Sequence, residues 1–281
     1  MSERAVLYVC ATPIGNLDDV TPRLLGALRS VDLIAAEDTR HTRKLLARFD
    51  IHTPSTSLFA HNEAKKTDYI LGLVRDGKDV ALVTDAGMPA VSDPGMRLVA
   101  RAVAEGLPLT VLPGPSAVTT ALVASGLADD CGFRFVGYLP RRAAELRAEF
   151  VGWQRHGGVV VAFETGKRLG KSLTELAELA PATTGAVCRE LTKLHEEVVR
   201  GSIDELAQRY PAGGEVKGEI TLVLDLGEPL DETTRSGQQV RAAAAALVGR
   251  GLSRRDAAAA LSICCGLPAN EAKRIVASVA H

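Results

Sequence analysis

Over residues 1–125 the chain alternates short, apolar, β-branched runs with stretches of helical periodicity. Ala5–Cys10, Leu33–Ala36, Val80–Thr84 and Thr110–Leu112 read as strands that are apolar at nearly every position, the pattern of strands covered on both faces. Helices fill the intervals over Thr39–Phe49, Glu63–Asp76, Pro94–Glu105 and Ser116–Ser125. Another opens at Thr21-Pro22, with Thr21 as N-cap, Pro22 at the first helical position, and Leu24, Leu25 and Leu28 as its apolar stripe. Strands alternating with helices imply a mostly parallel sheet with helices on its faces.

The rhythm restarts near residue 133 in a different form. Phe133–Val136 and Val159–Glu164 read as strands separated by a helix over Ala143–Trp153, and a helix over Lys167–Leu179 follows. Ala186–Glu190, His195–Gly201 and Glu219–Leu226 read as strands joined by short turns, which predicts a mixed or antiparallel second sheet. Gly126–Phe133 (GLADDCGF) is the expected hinge, and Gly227–Gly237 the expected linker. Three helices close the chain, over Gln238–Arg250, Ser253–Cys265 and Pro268–Val279, with Ser253 and Pro268 as start signals and Gly251 and Gly266 as stops. The 281 residues therefore divide into one α/β domain over 1–126, a second over 127–228, and a small helical module over 235–281.

Composition narrows the function classes. With 46% apolar and 24% charged residues the chain is neither disordered nor collagenous. Aromatics make up only 4%, so the core is aliphatic, and a reader that stacks many bases on rings is disfavoured. A net charge of −1 does not suggest a nucleic-acid binder. The charge is unevenly spread, however. Residues 235–281 carry seven basic side chains against two acidic ones, a balance of +5, while residues 1–234 carry −6. Cys10, Cys131, Cys188, Cys264 and Cys265 form no CxxC pair, and His41, His52, His61, His156 and His195 lack ligand spacing. A reducing, cytoplasmic setting without a structural zinc is the expectation. The amino-terminus runs almost directly into a strand, and no apolar run approaches membrane-spanning length, so a soluble protein with no membrane partner is expected.

Ligands of doubly wound sheets bind beyond the carboxyl ends of the strands. Three loops at such ends are rich in Gly and Pro: Ala11–Leu17, Asp85–Gly95 and Pro113–Ala117. These residues make sharp turns and leave backbone amides open to a ligand. Asp85 offers a carboxylate to a ribose or a cation, and Ser116 stands where an N-cap belongs, so its hydroxyl serves the helix, the ligand or both. The cluster Glu37-Asp38-Thr39-Arg40-His41-Thr42-Arg43-Lys44 follows the second strand. Helix capping accounts for Glu37 and Asp38, but Arg40 in the first turn opposes the helix dipole, which points to a partner such as a phosphate. Glu164-Thr165 and Arg189–Lys193 end two later strands.

Two motif look-alikes are set aside. No GxGxxG follows the first strand. GKRLGKS at 166–172 imitates a P-loop but has three residues between its glycines where that motif has four, too short to wrap a phosphate. In the basic tail, GLSRRDAA and GLPANE resemble paired short helices of a helix-turn-helix, a weak match that suits contact with a phosphate backbone. Cys264-Cys265 is read as a buried helix end.

Ordered motifs over residues 5–226 carry a family resemblance: ATPIGNLDD at 11–19, AAEDTRHTRKLL at 35–46, HNE at 61–63, TDAGMPAVSDPG at 84–95 and LPGPSA at 112–117. GYLPRR at 137–142, FETGKR at 163–168, CRELTKLHEE at 188–197 and KGE at 217–219 continue it in order. The chain resembles the bacterial small-subunit rRNA ribose methyltransferases of the tetrapyrrole-methylase-like superfamily. Thr84, Met88 and Phe163 depart from the Ser, Thr and Tyr of that pattern.

The resemblance implies two α/β domains holding S-adenosylmethionine (SAM) in the cleft between them. It also implies 2′-O-methylation of a cytidine ribose in the decoding region of 16S rRNA, 16S rRNA or the 30S subunit as partner, a homodimer, and no metal. On matching positions, the cofactor-binding residues are Pro13, Ile14, Gly15, Asp85, Ala86, Gly87, Met88, Ser116, Ala117, Glu164, Thr165 and Leu191. Glu37 or Asp38 is the candidate base, with Glu190 as rival; Arg40, Lys193 and Arg189 are candidates to stabilise charge or hold phosphate. A tetrapyrrole or corrin methylase, and a SAM-binding RNA assembly factor without activity, are the alternatives.

Overall fold

The computed structural model describes residues 5–59, 61–128, 132–229, 232–265 and 267–279. Two five-stranded sheets and the helices around them make one compact unit, Met1–Glu149 with Gly158–Leu226; Phe150–Gly157 and Gly227–His281 make a second.

The first sheet has the order β3-β2-β4-β1-β5 and is parallel throughout. Its strands are β1 (Leu7–Cys10), β2 (Leu33–Ala36), β3 (Ser55–Ser57), β4 (Val80–Val83) and β5 (Leu109–Leu112). Alternate residues of β4 show why these runs are apolar throughout. Ala81 and Val83 pack against α1 (Pro22–Ser30) and α2 (Thr39–Arg48), while Val80 and Leu82 pack against α3 (Glu63–Arg75) and α4 (Met96–Ala104). Thr21 caps α1 as expected, accepting from the Leu24 amide at 3.1 Å. The edge strand β3 escapes the sequence pattern because three polar residues, Ser-Thr-Ser, carry no apolar signal.

The helix α5 (Ala117–Ser125) follows β5 in sequence but packs against the second sheet, Val118 and Ala121 lying among Val161, Ala186 and Val223. That sheet has the order β6-β7-β10-β8-β9, built from β6 (Phe133–Tyr138), β7 (Val159–Thr165), β8 (Thr184–Arg189), β9 (Glu197–Ser202) and β10 (Glu219–Asp225). Only β6 and β7 run parallel, so it is mixed, as the short turns predict. The expected hinge includes residues 129–131, which lie outside the described residues.

Between β6 and β7 runs α6 (Ala143–His156), and α7 (Gly166–Ala177) follows β7. The two glycines of the false P-loop have a packing role on α7. A Cβ on Gly166 would lie 1.6 Å from the Val216 carbonyl oxygen, and one on Gly170 would lie 2.4 Å from that of Pro211. A further helix, α8 (Ile203–Arg209), was not expected. Ser202 and Glu205 close a capping box around its first turn, a contribution of about 1 kcal/mol.

The carboxyl-terminal helices are α9 (Glu232–Gly249), α10 (Arg254–Cys265) and α11 (Ala269–Ser278). They share a small core of Val240, Ala244, Ala257, Leu261, Ala272 and Val276. Part of the expected linker is helical, since α9 starts at Glu232: no Pro falls within it, and a lone Gly237 costs a helix only about 1 kcal/mol. The Cys264 and Cys265 side chains lie outside the described residues. Among the described residues no helix is long and apolar enough to cross a membrane.

Candidate active site

The order β2-β4-β1-β5 places four loops side by side at one sheet edge. The loops after β1 and β4 are stitched by reciprocal bonds, Thr12 N to Gly87 O at 2.9 Å and Gly87 N to Thr12 O at 3.1 Å. The buried Thr12 hydroxyl donates to Thr84 O at 3.1 Å. Gly87 turns with φ +80°, a conformation that favours glycine. A loop of the second sheet also arrives here: a Cβ on Gly15 would stand 2.5 Å from Lys193 Cγ, and Asn16 N donates to Thr192 Oγ1 at 3.1 Å. Glu190 and Thr192 in that loop, like Ala90 and Ser92 after β4, hold positive φ without being glycine. Strain of this kind gathers where surrounding structure fixes a functional loop.

Between these loops and the strands β7 and β10 lies a cavity of about 300 Å³. Ile14, Glu37, Asp85, Ala86, Gly87 and Met88 line it from the first sheet. Ser116 and Ala117 contribute from α5, and Glu164, Thr165 and Leu191 from the second sheet. Pro13 is buried and Gly15 faces Lys193, and neither lines the cavity. The Ser116 hydroxyl makes no capping bond, which leaves it to the cavity.

A second cavity, about 430 Å³, shares Glu37 and Asp85 with the first and adds Asp38, Thr39, Arg40, Ser57 and Phe59. The two carboxylates at the junction belong to one network. Thr84 Oγ1 donates to Glu37 Oε2 at 2.6 Å, and Asp38 N donates to Asp85 Oδ1 at 3.1 Å. Burial, reinforced by the nearby charge of Glu37, raises the pKa of Asp85.

Asp38 behaves differently from its neighbour. It caps α2 through the Arg40 amide at 2.8 Å and grips the Arg40 guanidinium at 2.7 Å, which holds its pKa down to about 2. Arg40 thus has a partner within the chain. Its unfavourable place in the first turn is offset by Asp38 and does not by itself call for a phosphate. Glu190 and Lys193 stand outside both cavities and bind each other at 2.8 Å, with Lys193 also on Glu219 at 2.9 Å. Arg189 is held by Glu197 at 3.2 Å.

Several wall residues were not singled out as site residues by the sequence: Asp93, Tyr138, Cys188, Glu219 and Ile220. Most lie inside quoted motifs, Asp93 in TDAGMPAVSDPG and Tyr138 in GYLPRR, so the signal was present without a role attached. Asp93 is the most perturbed carboxyl there: burial, then the charges of Glu37, Asp85 and Glu219, push its pKa up to about 6. Tyr138 is raised in turn, by burial first and then by Glu219 and Asp93. Glu164 is buried but satisfied, by Ser172 Oγ at 2.6 Å, Thr165 N at 2.7 Å and Arg168 at 3.1 Å, and so fastens β7 to α7.

The cavity therefore pairs an apolar side (Ile14, Val118, Leu191, Ile220) with a cluster of carboxylates (Glu37, Asp85, Asp93, Glu219). That arrangement is complementary to a small organic cation with a flat apolar part, and a sulfonium nucleoside has both features.

Comparisons with known proteins agree with this chemistry. The sequence model of the tetrapyrrole (corrin/porphyrin) methylases matches residues 6–207. The chain is 46% identical over 237 residues to the ribosomal RNA small subunit methyltransferase I of Mycobacterium tuberculosis, covering 83% of this chain and 82% of that one. It is 39% identical to the protein of the same name from Synechocystis, covering 92% of each. Among solved structures, the Thermus thermophilus uroporphyrin-III C-methyltransferase crystallised with S-adenosyl homocysteine shares the fold, with TM-score 0.55, 20% identity and coverage of 79% and 97%. A diphthine synthase shares it too, with TM-score 0.59, 14% identity and coverage of 79% and 90%. The chain belongs to the tetrapyrrole (corrin/porphyrin) methylase family and is a SAM-dependent methyltransferase.

Proposed function

We propose that the protein methylates the ribose 2′-hydroxyl of a cytidine in the decoding region of 16S rRNA. The observation that carries this reading is the junction of the two cavities at Glu37 and Asp85, in a chain 46% identical to a ribosomal RNA small subunit methyltransferase I. SAM supplies a methyl group already activated by its cationic sulfur.

Ile14, Asp85 to Met88, Ser116, Ala117 and Leu191 hold the cofactor in the first cavity, with Thr165 closing it. The acidic wall offsets the cofactor's positive charge. The acceptor enters from the second cavity, and alignment of its 2′-oxygen supplies much of the acceleration. A ribose hydroxyl is a weak nucleophile, so loss of its proton to a nearby carboxylate assists. Glu37 is placed for this at the junction and is held by the Thr84 hydroxyl. Asp38 is less suited, because Arg40 keeps its carboxylate weakly basic. Glu190 is engaged with Lys193 and serves the architecture of the loop after β8.

Labelled SAM incubated with 30S subunits, free 16S rRNA or a tetrapyrrole precursor tests the reading. Label is expected in a cytidine ribose of the RNA; label in the macrocycle, or none in any acceptor, overturns it. Glu37→Gln is expected to lower kcat by roughly 10²- to 10⁴-fold, the range of general-base assistance, while SAM affinity falls only a few-fold from the loss of one wall charge. An equal fall in both would make Glu37 a binding residue.

A further inference from the structure

Phe59 is an exposed ring, 41% accessible, on the wall of the second cavity. Its backbone is fixed: Phe59 N donates to Asn62 Oδ1 at 2.8 Å, and Asn62 Nδ2 donates to Ser57 O at 3.3 Å. Tyr69, Phe133 and Tyr138 are exposed as well, but among the described residues lining the second cavity Phe59 is the one aromatic, set beside the carboxylate junction.

The helix α2 rises from the same cavity. It buries Thr42, Leu45 and Leu46 and turns Arg40, Arg43, Lys44 and Arg48 outward at spacings of three and four residues, one exposed face. Arg40 is the member on the cavity wall, and the row leads away from it. The charges are therefore sorted. Glu37, Asp38 and Asp85 inside the cavity repel a phosphate and accept hydrogen bonds from hydroxyl and amino groups, while the cationic face at the rim attracts a polyanion.

We propose that the second cavity seats the acceptor nucleoside, drawn out of its stack, with its base on the Phe59 ring and its flanking phosphates along the cationic face of α2. The proposal rests on RNA being the substrate. A neutral base and sugar enter the acidic pocket and the charged backbone stays outside, with the base held by stacking and hydrogen bonds as in enzymes that act on an extruded nucleotide. Stacking on one ring is sequence-tolerant because every base has a π-face.

Steady-state methylation of 30S subunits by wild type, Phe59→Ala, Phe59→Leu and Phe59→Tyr tests the seat, with SAM affinity measured by calorimetry. The Ala and Leu variants are expected to lose roughly tenfold to a hundredfold in kcat/KM, Tyr to stay within about threefold, and all to bind SAM as wild type does. Arg43→Ala with Lys44→Ala is expected to flatten the dependence of log RNA affinity on log salt by about 1.5. Active wild type with Phe59→Ala and Phe59→Leu at wild-type rate overturns the proposal, as does a loss matched by weaker SAM binding. Wild type that puts no label into RNA overturns the functional reading instead.

Discussion

Neighbouring carboxylates in this site have separate tasks, set by their surroundings. Glu37 and Asp38 adjoin in sequence, yet Asp38 spends its charge on a helix end and a guanidinium while Glu37 turns to the cavity. The sequence placed both at the right strand end, and both line the second cavity, but that Glu37 alone of the two also lines the first depends on the Thr84 hydroxyl and on the way α2 begins. Asp93 shows the same dependence on surroundings. Its folded pKa of about 6 lies above the unfolded value near 3.8, so the folded state holds the proton more tightly and stability falls as pH rises through that window. The group is only partly buried, and solvent screening limits the effect to about 1 kcal/mol. A cationic ligand favours the ionised form, so calorimetry between pH 5 and 8 is expected to show SAM affinity falling several-fold below about 6. In Asp93→Asn that fall disappears, affinity at pH 8 is lower, and urea unfolding at pH 8 gives a gain of about 1 kcal/mol. A variant with the wild-type pH profile would assign the titration to another group.

Elements with a strong apolar period were legible in the sequence. Four strands of the first sheet and the helices between them were found within a few residues, because burial on both faces leaves runs that polar chains cannot imitate. β3 and α8 were not found, since an edge strand of three hydroxyl residues and a seven-residue helix set by its cap carry little periodicity. The glycine spacing at 166–170 departs from that of a phosphate loop in the sequence, but its purpose required coordinates. Both glycines admit the backbone of residues 210–216 against α7. Gly166→Ala forces that backbone to move and is expected to destabilise by at least about 1–3 kcal/mol in urea. An unchanged midpoint would mean the 1.6 Å approach is relieved elsewhere.

At the scale of the molecule, net charge misleads and its distribution informs. A −6 segment over residues 1–234 carries the acidic cavities, and a +5 segment follows it. Within the carboxyl-terminal helices Arg255, Lys273 and Arg274 are exposed, and none lies in the small core of Val240, Ala257 and Val276. Replacing all three by Ala is expected to weaken RNA binding at low salt and flatten its salt dependence, by about 0.7–0.9 for each phosphate no longer neutralised, with SAM affinity unchanged. An unaltered salt slope would exclude these helices from the RNA interface. The compact units also cut across the chain order, since Phe150–Gly157 groups with Gly227–His281. A Cβ on Gly157 would lie 2.5 Å from Pro229 N, so the two segments meet closely. During synthesis the end of α6, with the buried Phe150 and Trp153, emerges about 70 residues before the segment it assembles with. At about 5–20 residues per second that is a wait of roughly 4–14 s before the two segments can meet.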